Sequence, residues 1–345
     1  MAIGQIRIMA NKAFGTEGYE NIAVIGAGAW GTALALVASR AGRNVTLWSR
    51  EPEVTHSILA TRENALFLPG IPLPDNIVAT ANIMEAISSD AMLLVAPAQH
   101  IRAVATELAR AIAPGTPLVL CAKGIERGSG KLLTEVLAEA APNAEPAILS
   151  GPSFARDVAR DLPTALTIAA KKDIAFRLAA SLGHAGFRPY ASEDLIGVAL
   201  GGAAKNVYAI GCGIVAGMGL GENARAALLT RSFAELCRLG TALGARNETL
   251  MGLSGLGDLV LTATSLSSRN YSFGFHLGEG RATAELTAPG HPLAEGVETA
   301  AALVARAGRR RIELPVAEAI ADILTGKLTL ADAIPRLMAR PLKAE

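Results

Sequence analysis

The chain has 345 residues, 51% of them apolar but only 4% aromatic, and a formal net charge of +1. That length fits two domains, and so even a charge excludes the footprint of a nucleic-acid binder or of a protein held on an acidic membrane. The three cysteines, Cys121, Cys212 and Cys237, form no CxxC pair and no zinc spacing, so no metal is expected and a reducing cytoplasm is the natural compartment.

Residues 1–20 carry scattered charges and no long apolar core. They read as an N-terminal extension and not as a signal peptide. The pattern then predicts a strand over 21–25, a helix over 32–40 closed by Gly42, and a second strand over 44–48. The runs 91–96 and 117–121 are almost continuously apolar, as strands are when helices cover both faces of a parallel sheet. Helical patterns at 99–112 and 131–140 lie around them, and 147–149 and 164–169 can extend the sheet. This alternation predicts a Rossmann-like, doubly wound α/β domain for dinucleotide binding over residues 21–192.

After Ser192 the alternation stops. Ala/Leu-rich helical patterns follow at 224–243, 297–307 and 316–324. Pro315 stands at a helix start, and Thr329-Leu330-Ala331-Asp332 has the form of a capping box. Residues 193–345 are expected to form an all-α substrate domain. The most membrane-like stretch, 206–221, has sixteen uncharged residues, short of the ~20 that a span needs. It reads as a buried helix, with no membrane span.

Gly26-Ala27-Gly28-Ala29-Trp30-Gly31 follows the first predicted strand and opens the first predicted helix. In that setting GxGxxG is a dinucleotide-binding loop. Gly26 serves the tight turn, Gly28 the close approach of a pyrophosphate, and Gly31 the packing of helix on strand. At the end of the second strand, where an acidic residue would hold the ribose of NAD, stands Ser49-Arg50, with Glu51 one step later. An arginine can pair with a 2′-phosphate, so NADP is expected to be accepted and NAD is not excluded. The alternative is that Arg50 is a solvated surface charge.

Four segments offer groups for moving a proton and holding a substrate. Lys123 follows an apolar strand, where ligands of doubly wound sheets bind. Ser150-Gly151-Pro152-Ser153 is a turn with backbone N–H groups and a hydroxyl. Lys205 and Asn206 sit in a Gly/Ala-rich stretch. Asp258, and then Ser268-Arg269-Asn270, add a carboxylate and a cation–amide pair. A lysine among Gly, Ala, Val and Leu is costly to bury unless paired or neutral, and desolvation favours the neutral form that suits a proton acceptor. Lys205 reads equally as a lysine that snorkels to water, Arg269-Asn270 as a surface turn, and Asp258 as a helix cap.

The segments GAGAWGTALA (26–35), NALFLPG (64–70), AKGIE (122–126), SGPSFA (150–155), LGGAAKNVYAIG (200–211), GLGDLVLT (255–262), SRN (268–270) and AEGVET (294–299) together resemble the bacterial-type NAD(P)-dependent glycerol-3-phosphate dehydrogenases, over roughly residues 21–337. The resemblance implies a C-terminal domain like that of 6-phosphogluconate dehydrogenase. It implies reversible reduction of dihydroxyacetone phosphate to sn-glycerol 3-phosphate, for phospholipid synthesis. Lys205 falls on the family's proton-transferring lysine. Lys123 falls beside both substrate and cofactor, and Gly151, Ser153, Asn206, Asp258, Ser268, Arg269 and Asn270 on substrate positions. Ala155, Leu293, Glu295 and again Arg269 fall on cofactor positions. Ala29 and Trp30 stand where the family often has a serine and an aromatic residue.

The expected ligands are thus NADP or NAD and a small phosphate ester, and a homodimer is the expected assembly. Two readings compete. One is another two-domain 2-hydroxy-acid or sugar-acid dehydrogenase, which the lysine motif also fits. The other is a non-catalytic NAD(P) sensor, against which the joint retention of Lys123, Lys205, Asp258 and Arg269 argues.

Overall fold

An eight-stranded sheet organises the first half of the chain, and among the described residues the second half forms helices without a strand. The structure, a computed structural model, describes residues 15–339, so most of the extension read at 1–20 lies outside the described residues. The chain divides into two compact units. One takes in the residues up to Ala122 together with Leu133–Ala199, the other Lys123–Leu132 together with Leu200 onward.

In the first unit the elements run β1 (Asn21–Ile25), α1 (Ala29–Arg40), β2 (Asn44–Trp48), α2 (Pro52–Thr61), β3 (Ile77–Thr80), β4 (Ala91–Leu94), α3 (Ile101–Ala109), β5 (Pro117–Leu120), α4 (Leu133–Ala140), β6 (Glu145–Ser150), α5 (Ala155–Ala159), β7 (Thr164–Ala169), α6 (Lys172–Leu182) and β8 (Phe187–Ser192). The sheet order is β3-β2-β1-β4-β5-β6-β7-β8. β1 lies between β2 and β4, so the order reverses there and leaves a crevice beyond the carboxyl end of β1. The Gly-rich loop leaves β1 at that point. β4 and β5 are buried at every residue, as their unbroken apolar runs predict.

The sheet is parallel from β3 through β6 and again between β7 and β8, but β6 and β7 are antiparallel. This one antiparallel pairing sets β7 and β8 apart from the six parallel strands before them. The connection holds only α5, whose five residues rise about 7.5 Å. A parallel crossover would have to carry the chain back along a six-residue strand of about 20 Å. Two strands went unread, β3 and β8, and they are the sheet's two edges. β3 has four residues, with Val78 exposed. β8 contains Pro189, whose missing N–H is tolerated at an edge.

Tyr19 and Glu20, in the segment read as an extension, already belong to the fold. The Tyr19 N–H donates to Ser181 Oγ at 2.7 Å, and the Arg177 guanidinium lies 4.1 Å above its ring. The Glu20 N–H donates to the Asp90 carboxylate at 3.0 Å.

The second unit is built from α7 (Leu195–Gly217) from Leu200 onward, α8 (Gly221–Leu243), α9 (Asn247–Met251), a π-turn at Leu253–Gly257, α10 (Asp258–Ala263), α11 (Arg269–Gly278), α12 (Thr283–Leu286), α13 (Glu295–Arg309), α14 (Pro315–Leu324) and α15 (Leu330–Met338). α7 is apolar and long enough to cross a membrane, but its most apolar window is 94% buried; it is a core helix. Glycine replaces aromatic bulk where α7 meets α11. A Cβ would come within 2.2 Å of the Tyr271 carbonyl oxygen at Gly213, 2.0 Å of that of Phe275 at Gly217, and 2.0 Å of that of Ile210 at Gly274. The two backbones touch, which only glycine permits.

Residues 123–132 fall in the half that the alternation assigns to the sheet, yet they group with the helices. Arg306 and Arg309 of α13 donate to the carbonyls of Gly130 and Ser129 at 3.0 and 2.9 Å, and Arg127 pairs with Glu298 at 2.8 Å. These bonds join residues far apart in sequence, so local pattern carries no trace of them.

Candidate functional site

The Gly-rich loop has a physical reason for each glycine. Gly26 has φ +117°, and a Cβ there would lie 3.2 Å from the Val95 carbonyl. At Gly31 a Cβ would lie 1.8 Å from the Gly26 carbonyl oxygen, so the helix could not seat on the loop. At Gly28 a Cβ would meet nothing within 4 Å. Packing therefore does not require that glycine, whereas a ligand at the open side would. α1 starts from Gly28 with no capping side chain and no acid in its first turn. Its first N–H groups and positive dipole end suit an anion. Ala29 and Trp30 are the first helical residues, both half-buried against the sheet core. These features fit the pyrophosphate of a dinucleotide.

At the end of β2, Arg50 is exposed and its guanidinium lies 3.0 Å from Glu51. Ser49 Oγ donates to the same carboxylate at 3.3 Å and accepts the Glu51 N–H at 3.2 Å. This strand end therefore presents a cation and a carboxylate side by side.

In the second unit, Lys205, Lys123 and Asp258 form one cluster. Lys205 lies in α7, only 7% exposed. Its Nζ donates to Asp258 Oδ1 at 2.5 Å and to Thr262 Oγ1 at 2.8 Å. Lys123 Nζ donates to Asp258 Oδ2 at 2.6 Å. One carboxylate thus lies between two ammonium groups. Burial, aided by the charge of Lys123, brings the Lys205 pKa down to about 7, although Asp258 pulls the other way. Burial works to raise the pKa of Asp258, but the two lysines outweigh it and hold the group below the ordinary aspartate range.

The π-turn sets Asp258 in place. Its one-residue insertion rotates the start of α10 relative to the chain before it, a device common at functional sites. It needs Gly255, where a Cβ would lie 1.9 Å from the Leu250 carbonyl oxygen, and Gly201, where one would lie 2.6 Å from that of Ser254. Asp258 begins α10 with Gly257 as its cap. Its carboxylate bonds to the lysines, so it is not a helix cap. Nor does Lys205 snorkel to water.

Beside this cluster runs an amide chain. Asn206 Nδ2 donates to the Lys123 carbonyl at 3.4 Å, Asn270 Nδ2 donates to Asn206 Oδ1 at 2.9 Å, and the Gly296 N–H donates to Asn270 Oδ1 at 2.9 Å. Ser268 Oγ accepts the Tyr271 N–H and so caps α11. Arg269, the next residue, is exposed and its guanidinium forms no ion pair among the described residues. Glu295 opens α13, and Leu293 is 48% exposed in the segment before it.

Gly151, Ser153 and Ala155 belong to the first unit, after β6. Gly151 has φ +154°, and a Cβ there would lie 2.7 Å from Leu166 Cβ. Ser153 Oγ donates to the Gly151 carbonyl at 3.0 Å, and Ala155 opens α5. Sequence reasoning missed Thr262 and Gly296. Thr262 carried a usable signal, since it stands four residues after Asp258 and so one helical turn along the same face. Gly296 carried none, because its role is a backbone N–H.

The chain is similar to known proteins along most of its length. Residues 21–175 match the N-terminal domain of the NAD-dependent glycerol-3-phosphate dehydrogenase family, and residues 194–335 match its C-terminal domain. The chain is 56% identical over 331 residues to a curated glycerol-3-phosphate dehydrogenase [NAD(P)+] from Parvibaculum lavamentivorans, covering 96% of this chain and 99% of that one. It is 55% identical to the one from Rhodospirillum rubrum, covering 94% of each. The crystal structure of glycerol-3-phosphate dehydrogenase from Coxiella burnetii superposes with a TM-score of 0.88 at 38% identity, covering 93% of this chain and 99% of that one.

Proposed function

The chain belongs to the NAD-dependent glycerol-3-phosphate dehydrogenase family, and from that premise we propose that it reversibly reduces dihydroxyacetone phosphate to sn-glycerol 3-phosphate for phospholipid synthesis. The single observation that carries the chemistry is the buried Lys205, bonded to Asp258 and tuned to about 7. A general acid works best with a pKa near the operating pH.

The Gly26–Gly31 loop would hold the pyrophosphate of a nicotinamide cofactor, which when bound would supply the hydride for reduction and accept it in the reverse direction. Protonated Lys205 donates its proton to the substrate oxygen as alkoxide character develops; in the reverse direction neutral Lys205 takes the hydroxyl proton. Asp258 orients Lys205 and Lys123, and the lysine charges stabilise the developing oxyanion. Arg269, with the second amide hydrogen of each of Asn206 and Asn270, the first being spent on the Lys123 carbonyl and on Asn206 Oδ1, is the handle for the phosphate. Gly151 and Ser153 supply further substrate contacts. Lys123, Ala155, Leu293 and Glu295 contribute to the cofactor site. Arg50 pairs with the 2′-phosphate of NADP once released from Glu51, and NAD is used as well. The working form is a cytoplasmic homodimer.

The test is one absorbance assay. Adding dihydroxyacetone phosphate to the protein with NADPH, and separately with NADH, is expected to consume at least one of them. A flat trace with both overturns the reading. Consumption only with a keto acid would favour the 2-hydroxy-acid alternative.

A further inference from the structure

The Gly-rich loop is held from one side by its own sheet, where the Gly26 N–H donates to the Trp48 carbonyl at 3.0 Å. Its other side is held by a residue from a remote segment. Asn64 is fully buried, at 0% exposure, in the connection between α2 and β3. Its Nδ2 donates to the Ala27 carbonyl at 2.8 Å and to Thr32 Oγ1 at 2.8 Å. Its Oδ1 accepts the Phe67 N–H at 3.1 Å. Two acceptors on the nitrogen side and one donor on the oxygen side leave only one orientation of this amide.

Those two bonds straddle the part of the loop that meets the ligand. Ala27 lies between the two glycines, and Thr32 lies on the first turn of α1, just after Gly31. Clamping both together fixes the direction of the intervening N–H groups. The connection that supplies Asn64 is itself braced. The Leu68 N–H donates to the Asn64 carbonyl at 2.9 Å, the Gly70 N–H donates to the Glu63 carboxylate at 2.7 Å, and Glu63 bridges Pro72. A glycine loop has no side chains of its own to hold its shape, so an outside clamp has a large effect on how much order must be gained on binding.

We propose that Asn64, acting through Ala27 and Thr32, is a positioning residue for dinucleotide binding: it preorganises the Gly-rich loop for the pyrophosphate. The inference rests on the dinucleotide reading of that loop. It assigns Asn64 to cofactor affinity and not to chemistry, since it touches none of the proton-transfer groups.

The experiment is a fluorescence titration of NADPH without substrate, run on the whole protein well below its melting temperature. It is paired with kcat at saturating NADPH. If the wild-type protein fails to bind NADPH or NADH, the loop reading itself falls. If it binds, Asn64→Ala is expected to raise Kd about tenfold, the worth of losing two buried hydrogen bonds, with kcat at saturation within threefold. Thr32→Val, which removes one acceptor, is expected to raise Kd about threefold, and Thr32→Ser, which keeps the hydroxyl, to restore it. A merely structural asparagine would lower the melting temperature and leave Kd within twofold; that result overturns the proposal. Should Asn64→Ala not fold, the two Thr32 variants decide, and an unchanged Kd in Thr32→Val overturns it equally.

Discussion

Two carboxylates are buried almost completely in the helical unit, Asp258 at 1% and Glu235 at 2% exposure, and their acidities move in opposite directions. Asp258 touches two ammonium groups, which outweigh its burial and keep it ionised. Glu235 has only uncharged donors. It accepts the N–H groups of Val316 and Ala317 at 2.7 and 3.2 Å, where α14 begins, and the Tyr208 hydroxyl at 3.3 Å. Burial there dominates and pushes its pKa up to about 7. Burial alone therefore says little about charge state; the charge of the nearest partner decides it. Asp258 stays charged between two lysines, while Glu235 joins three helices, α8 that carries it, α14 and α7.

The largest effect is expected around Asp258, at the lysine it holds. Lys205→Met is expected to cut turnover about a thousandfold with the fold intact, checked by steady-state kinetics and circular dichroism. Near-normal turnover would remove Lys205 as the proton carrier. In the proposed mechanism, reduction needs protonated Lys205. Its kcat/KM is therefore expected to fall about tenfold per pH unit above about 7, while oxidation of glycerol 3-phosphate rises through the same range.

Asp258→Asn comes next, at about a hundredfold in turnover. It removes the group that raises the Lys205 pKa, so the limb of the reduction profile should move to lower pH. A profile that shifts upward, or not at all, would contradict the electrostatic role given to Asp258.

Glu235→Gln should have the smallest effect on catalysis, within about twofold, and should show instead in stability. Glu235 binds its proton more tightly in the folded protein. Its stabilising effect is thus complete below about pH 4.5 and is lost as pH rises through about 7, a change of roughly 3 kcal/mol. Denaturant titrations from pH 4 to 8 should show that slope in the wild type and lose it in Glu235→Gln. An identical slope in both would mean that Glu235 is not the titrating group.

Much of the fold was legible in local pattern. The apolar runs of β4 and β5 are strands because both faces are covered. β1 and β2 showed the boundaries they have, and Pro315 and Thr329 marked the starts of α14 and α15. β3 and β8 were not legible, because an edge strand need not be apolar on both faces and tolerates Pro189. The candidate site was legible as a set of residue types at family spacings. Its connections were not.

Local sequence settles the loop glycines, the alternation that builds the sheet and the identity of the two lysines, since backbone sterics and apolar periodicity act over a few residues. Only folding brings Lys123 and Lys205, 82 positions apart, onto the one carboxylate of Asp258. Only folding makes Asn64 the clamp of a loop 37 residues before it, and gives Glu235 neutral donors. A pKa, a clamp and a shared counterion are all set by neighbours within about 4 Å, and distance along the chain does not predict which neighbours those will be.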